Sequence, residues 1–475
     1  MKPDRFIRYT TFAVIVLGII SIGWWLGKDP TSDFVESVPG LDNRGTGSGT
    51  DEVVVIGELF EKLEDGYTEL SETWPRFRGE EFDNISKSRV PLKENFGATG
   101  PDILWSVALG EGHSGAAIWK GLVYVLDYDE EERADYLRCF SLTSGKELWK
   151  RGYNVAIKRN HGMSRTVPAV TEGYILTIGP RCHVMCLARE TGDFLWGIDI
   201  EKDYQSEVPL WYTGQCPLID GNVAVIATGG NALMIGVDMA TGEKLWETPN
   251  PHGWKMSHSS VIPFEFGGRK MYVYSAIGGM VGIAADGDEA GTVLWEVPQW
   301  NKSVIAPSPV CMPDGRIFIT AGYGAGAMML QLKASNGQFT VDILFDYAPR
   351  EGLSSEQQTP ILWNGHLFGI LPKDGGTLRN QMVCVHPSDP QKIIWSSGSD
   401  KRFGLGPFIL ADNKMYKWND DGTLFIIQPS TSGYVELDQA RVIQDGHDAW
   451  APIAVADGYM IVRDSKTMVC LNMKK

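Results

Sequence analysis

The sequence predicts an all-β fold: an eight-bladed β-propeller of four-stranded antiparallel blades, closed by strands from both ends of the chain. Three observations predict it. A short phrase ending in Trp recurs roughly every fifty residues. Eight pairs of apolar runs, each folded about a turn, share that period. The chain also stops one strand short of its last unit, while an unused strand lies near the start of the repeats.

The phrase reads SLTSGKELW at 141–149, ARETGDFLW at 188–196, VDMATGEKLW at 237–246, DEAGTVLW at 288–295 and SDPQKIIW at 388–395. An earlier ILW ends at Trp105, and Phe345 stands midway between Trp295 and Trp395, so one unit exchanges Trp for Phe. The T-G or S-G step suits a tight turn between two outer strands. The Trp then recurs at one height on the outermost strand. Trp105, Trp149, Trp196, Trp246, Trp295 and Trp395 are therefore expected to dock each blade on its neighbour, because a Trp buries a large area.

Before each phrase lies a β-rich pair of runs, such as VPAVTEGYILTI at 167–178, CPLIDGNVAVIA at 216–227 and TPILWNGHLFGI at 359–370. Gly, Asn and Asp at their middles are turn formers. The last unit ends at VCLNMKK without its fourth strand, and ILWSVAL around Trp105 can supply it. Such pairing removes free sheet edges.

These phrases resemble the tryptophan-docking motif of the quinoprotein (PQQ) alcohol dehydrogenase-like propellers. WPRFRGEEFDNIS at 74–86 resembles the opening of the planctomycete-type PQQ-binding-like repeat proteins, and the outer-membrane assembly factor BamB shares the fold more distantly. The resemblance covers residues 74–475. It implies the fold and leaves the activity open, since such propellers include enzymes and scaffolds. The quinoprotein enzymes hold PQQ over a vicinal Cys-Cys disulfide, with calcium and a catalytic Asp. No two cysteines are adjacent here, so no catalytic residue transfers and no cofactor is expected. A PQQ- and calcium-dependent oxidoreductase is the alternative. Asp238, Thr241, Gly242 and Trp246 match the docking motif most closely.

Composition bounds the function. The net charge is −16, which argues against nucleic acid as partner. Lys2, Arg5 and Arg8 precede an uncharged run at 9–27, with Trp24 and Trp25 near its end. This pattern predicts a single-pass anchor with residues 1–8 in the cytoplasm and the propeller on the periplasmic side. Residues 28–73 read as an acidic, flexible tether. Within it, 53–70 allows either a short helix or an extra strand. The first Cys is Cys139, so no lipidation cysteine lies near the N-terminus.

Cys139, Cys186, Cys384 and Cys470 fall at one repeat-equivalent position, with Gly236 in the same place in another unit. They read as small core residues rather than disulfide partners. RCHVMC at 181–186 is the one metal-like cluster. On a strand, Cys182 and Cys186 would stand roughly 13 Å apart with His183 on the opposite face, which no zinc site accommodates. No metal is expected. The glycines of AGYGAG at 321–326 read as a hairpin turn.

Candidate function lies in the loops that enter each innermost strand, since these surround one mouth of the central channel. They carry His113, His161, Arg165, Trp211, Tyr212, Trp254, His258, Gln357, Arg402, His447 and Trp450. One reading is a funnel that stacks a ligand on Trp and fixes it through Arg, Gln and His. The other is that the loops are simply solvated, with Trp and His filling gaps between blades. The expected role is a binding or scaffold module for a protein or small molecule. A BamB-like assembly factor is a second alternative.

Overall fold

The computed structural model describes residues 3–27, 53–98 and 100–475. They fall into two units, Met1–Asp51 and Glu52–Lys475. The first holds one helix, Pro3–Leu26, of 24 residues. No helix among the described residues is long and apolar enough to cross a membrane. The expected single-pass membrane anchor is thereby corrected. The helix begins inside the charged segment, taking in Asp4, Arg5 and Arg8. Its uncharged part, residues 9–26, includes Thr10, Thr11 and Ser21 and falls short of the ~20 apolar residues a bilayer needs. Residues 28–52 of the expected tether lie outside the described residues.

The second unit is a propeller of eight antiparallel sheets. Blade 1 starts on the innermost strand Ala117–Trp119 and ends on Glu147–Asn154. Blades 2 to 7 follow, and blades 2, 3, 4 and 6 end on the strand that carries the repeated phrase. Blade 8 combines Ala454–Ala456, Tyr459–Arg463 and Thr467–Asn472 with Ile103–Ala108 from the other end of the repeats, pairing Trp105 with Cys470.

The strand registers show why the repeat has its composition. Trp149, Trp196, Trp246, Trp295, Phe345, Trp395 and Trp105 stand opposite Cys139, Cys186, Gly236, Gly282, Met329, Cys384 and Cys470. A register shift follows at the same place in each blade, as a β-bulge does when it re-aims a side chain. A Cβ on Gly236 would lie 2.1 Å from the Trp246 ring, so the facing residue has to be small there. Five of the rings, Trp105, Trp149, Trp196, Trp246 and Trp395, land on the following blade. Trp105 Nε1 donates to Leu142 O at 2.8 Å, Trp196 Nε1 to Met239 O at 2.9 Å and Trp395 Nε1 to Ser430 O at 3.0 Å. The phrase glycines Gly145, Gly192, Gly242 and Gly291 all have positive φ and lie under the rings of Trp105, Trp149, Trp196 and Trp246. All seven cysteines are free. Cys182 lies in a turn at φ 63, ahead of the strand His183–Ala188, and its thiol meets Thr213 Oγ1 at 3.0 Å.

Blade 7 departs from the pattern. Its equivalent residue is Asp438, opposite Ile426. The Asp438 carboxylate accepts the Phe96 amide at 2.7 Å, and Phe96 is buried in the adjoining core cluster. A segment from before the repeats therefore occupies the seam that lacks a docking Trp.

That segment runs a long way. Of the two alternatives for 53–70, the strand forms: Leu59–Lys62 pairs antiparallel with the outer edge of blade 1. Leu63 N then bonds Leu148 O, and Leu148, the residue before the docking Trp, is buried. In other blades the equivalents stay exposed, as at Leu195, Leu245 and Ile394. The chain next crosses the interior. Thr73–Trp74 pairs with the innermost strand of blade 1, Pro75 O accepts Val170 N of blade 2, and Arg76 Nη1 donates to Ile219 O of blade 3. Ile85 bridges Leu410 of blade 7, and Leu92 N donates to Asp412 Oδ2 at 2.8 Å before Phe96 reaches the seam. These partners lie toward the far ends of the innermost strands, away from the loops that precede them. WPRFRGEEFDNIS thus forms a floor across the channel.

Trp196→Ala is expected to cost about 3–5 kcal/mol, the usual loss for a buried Trp. Gly242→Ala is also expected to destabilise, because its Cβ would meet the same ring at 2.7 Å from a backbone at φ 76. Denaturant unfolding of the two variants checks both. An unchanged midpoint for either would show that the ring does not hold these blades together.

Candidate functional site

Above this floor lies a cavity of about 370 Å³. Phe77 and Asn84 of the crossing segment form its base, with Phe408, Ile409 and Ile453 beside them. Its waist is built by the residues that open the innermost strands, and these are tied blade to blade. Val167 N donates to Cys216 Sγ at 3.2 Å, Cys216 N to Ser260 Oγ at 3.0 Å, Ser260 N to Ser308 Oγ at 3.4 Å and Ser308 N to Thr359 Oγ1 at 2.9 Å. Each backbone amide thus finds its acceptor on the equivalent side chain of the next blade. Burial pushes the Cys216 thiol up to about 11, so it stays protonated.

At the mouth, two aromatic pairs converge. Trp211 stacks on Tyr323 with ring centroids 5.6 Å apart, and His113 packs on Trp450 at 4.8 Å. His258 adds a third edge, 6.2 Å from Trp211. Burial, reinforced by Arg165, lowers His113 to about 3 and His258 to about 4, so both are neutral at pH 7. His113 Nε2 lies 2.9 Å from His161 O, an acceptor that fixes that nitrogen as the N–H donor. Trp211 and Tyr212 both have positive φ, 61° and 73°. Such strain in bulky residues persists only where surroundings enforce it. Here Arg165 does so: its Nε donates to Trp211 O at 2.5 Å and its Nη2 to Asn160 O at 3.1 Å and His161 O at 2.6 Å. Glu356 is buried and meets Lys373 at 3.5 Å, while Lys373 lies over the Tyr323 ring at 4.9 Å. The Gln357 amide has no protein partner among the described residues.

Of the residues singled out from sequence, His113, His161, Arg165, Trp211, His258, Gln357 and Trp450 line this one cavity. Four others lie elsewhere. Tyr212 is buried, and its hydroxyl donates to Lys158 O. Trp254 packs into the core under the backbone of Gly278 and Gly279 and stacks on His252. Arg402 is exposed and bonds Arg379 O. His447 is exposed beside Asp448 at 3.4 Å. Tyr323, Lys373, Cys216 and Phe77 were not singled out. Tyr323 and Lys373 sit in turns between the second and third strands of blades 5 and 6, which open on the same face as the entry loops. That up-and-down topology was the available signal.

Comparison with known proteins follows this geometry. A family model described as outer membrane protein assembly factor BamB matches residues 133–397. The chain belongs to this family. No curated protein matches its sequence. Among solved structures, BamB from Moraxella catarrhalis superposes with a TM-score of 0.52 at 12% identity, covering 78% of this chain and 99% of that one. A europium-containing methanol dehydrogenase gives a TM-score of 0.59 at 11% identity, covering 82% and 89%. The computationally designed Ika8 protein gives 0.52 at 14% identity, covering 78% and 100%. At such identities these likenesses show the fold alone: a PQQ-like β-propeller, as the docking motif implied.

The loop that supplies His161 and Arg165 is anchored from below. Asp135, fully buried in blade 1, accepts Ser164 Oγ at 3.0 Å and Tyr153 Oη at 3.1 Å. Burial raises its carboxyl to about 7, against the help of those two hydroxyls. An unfolded Asp releases its proton near 3.9. Between those values the folded state binds more protons, so this contribution to stability is present below ~4 and lost as pH rises toward 7. Asp135→Asn should therefore become progressively more stable relative to the parent across that window, by about 1.4 kcal/mol per pH unit at most. Melting curves of both proteins from pH 4.5 to 8 check this. A difference independent of pH would mean that Asp135 is ionised throughout.

Proposed function

We propose that this chain is a binding module whose ligand sits in the central cup. The observation that carries the reading is convergence: the Trp211–Tyr323 and His113–Trp450 pairs come from entry loops and turns of different blades, yet meet over one cavity closed below by the chain's own N-terminal segment. A pocket of apolar walls with a few polar groups suits a small organic molecule. A rigid ring presenting loops suits recognition. The ring's ends are read as a clasp that keeps the cup in shape, supported by the pairing of Ile103–Ala108 with the C-terminal strand and by Phe96 at the blade 7 seam.

The oxidoreductase alternative requires PQQ with calcium, and the donor set does not fit it. Calcium takes six to eight oxygen ligands, carboxylates foremost. Among the described residues Glu356 is the one carboxylate on the cavity wall, and Lys373 already faces it. No group of three or more His, Cys, Asp or Glu among the described residues is disposed to hold a metal. The assembly role in the family's description is the second reading, favoured by the match over 133–397. It places a protein partner on the ring instead of a small molecule in the cup.

Native mass spectrometry of the purified chain tests the first reading. A bound small molecule is expected, and it should be absent from the Trp211→Ala/Trp450→Ala double variant, whose ring remains folded by circular dichroism. A parent protein without adduct that still captures an envelope protein would favour the scaffold.

A further inference from the structure

We infer that the cup is built for an organic monoanion: a ring-shaped, apolar body bearing a single carboxylate directed at Arg165. This rests on the reading of the cup as a ligand site, and it names the class of ligand.

The cavity wall carries few charges, and most are balanced. Arg165 is the one cation there without a counter-ion among the described residues. Its hydrogen bonds all run to backbone carbonyls, which are neutral. Glu111 bears on it electrostatically but is committed elsewhere, to Arg159 Nε at 2.7 Å and to the Gly162 amide at 3.1 Å. Lys373 and Glu356 face each other and cancel. His113 and His258 are neutral, as is the Cys216 thiol. Leaving His161 aside, one positive charge remains on the wall among the described residues.

A charge in low-dielectric surroundings is costly without a partner. Burial pulls the Arg165 guanidinium down to about 10, which leaves it cationic at neutral pH. Removing His113 and His258 from the titration matters as much. Were they protonated, the wall would carry three positive charges and suit a polyanion. As built, it offers one. Apart from neutral polar groups at Asn84, Gln357, Gln358 and Thr359 and the His161 imidazole, the wall is largely apolar or aromatic, so the ligand body should be apolar and flat enough to lie against Trp211 or Trp450. The Gln357 amide can serve one neutral polar group. A tricarboxylate quinone matches neither the single charge nor the donor set, so the cup departs from the cofactor site that the fold's enzymes possess.

Isothermal titration of the full chain with three probes tests this: 2-naphthoate, 2-naphthamide and benzene-1,3,5-tricarboxylate. The expected result is binding of 2-naphthoate at least tenfold tighter than of the isosteric amide, with the tricarboxylate no tighter than the naphthoate. This comparison needs no variant. Arg165→Gln should then erase the preference for carboxylate over amide, and Arg165→Lys should retain part of it. Melting curves show whether the Trp211 loop has stayed in place. Equal affinity for naphthoate and naphthamide would overturn the monoanion and leave the cup standing. Tighter binding of the tricarboxylate would overturn it in favour of a polyanion. If neither naphthalene binds, the class is wrong, and the native mass spectrum decides separately whether the cup is a site.

Discussion

A docking ring that lands on the next blade's glycine is the contact on which the rest of this molecule depends. It explains three features of the repeat together. The glycine has positive φ and no Cβ, so the ring of Trp196 can lie where a Cβ on Gly242 would stand 2.7 Å away. The residue opposite the Trp is small, Cys or Gly in six of the blades. A bulge beside it sets the angle of the ring. Small partner and glycine occur together for Trp105, Trp149, Trp196 and Trp246, while Trp395 docks on Ser430 O without a glycine beneath it. Because each contact joins consecutive blades, it fixes their angle, and that angle places eight sets of entry loops around one axis.

The fold was legible because this contact repeats in sequence as it does in space. Periodicity exposed the Trp, the turns and the four equivalent cysteines, and the strand registers place all of them as the repeat implied. The exception shows the limit. Asp438 occupies the Trp position of blade 7 and breaks the pattern, and what fills its seam is Phe96, far away in sequence. A non-repeated segment leaves no periodic trace, so the path of residues 59–98 along an outer edge, across the channel and out beside blade 7 could not be read. WPRFRGEEFDNIS stood out as a motif, yet nothing local shows that its partners are the innermost strands of blades 1, 2, 3 and 7. The helix is the opposite case. Its uncharged run looked long enough to span a bilayer, but the structure begins it among charged residues, and what remains is too short.

The site was half legible for a related reason. Topology puts every entry loop at one mouth, so candidates from different blades could be placed together without a contact being known. Which side chains turn inward depends on local backbone. Trp211 and Tyr212 are neighbours in one loop with similar φ, but the first faces the cavity and the second reaches across to Lys158 O. Trp254 has the composition of a stacking residue and spends it on the core, over Gly278 and Gly279. Tyr323 and Lys373 went unnoticed because their turns join inner strands of one blade rather than leading into it.

The crossing segment gives the cavity its character. A propeller channel without it would be a tube, open to water at both ends and with no enclosed volume. With Phe77 and Asn84 across it, the tube becomes a cup, and the mouth groups stand over an apolar base. At the mouth, burial against Trp450 and Trp211 and the nearby Arg165 charge keep His113 and His258 neutral. Burial also pulls down the Arg165 guanidinium, whose hydrogen bonds run only to backbone carbonyls. The same guanidinium holds the Trp211 loop in a strained conformation and presents its charge to the cavity. Shape and electrostatics at the mouth are therefore set by one residue, and that residue is positioned by a loop which Asp135 and Ser164 anchor from beneath.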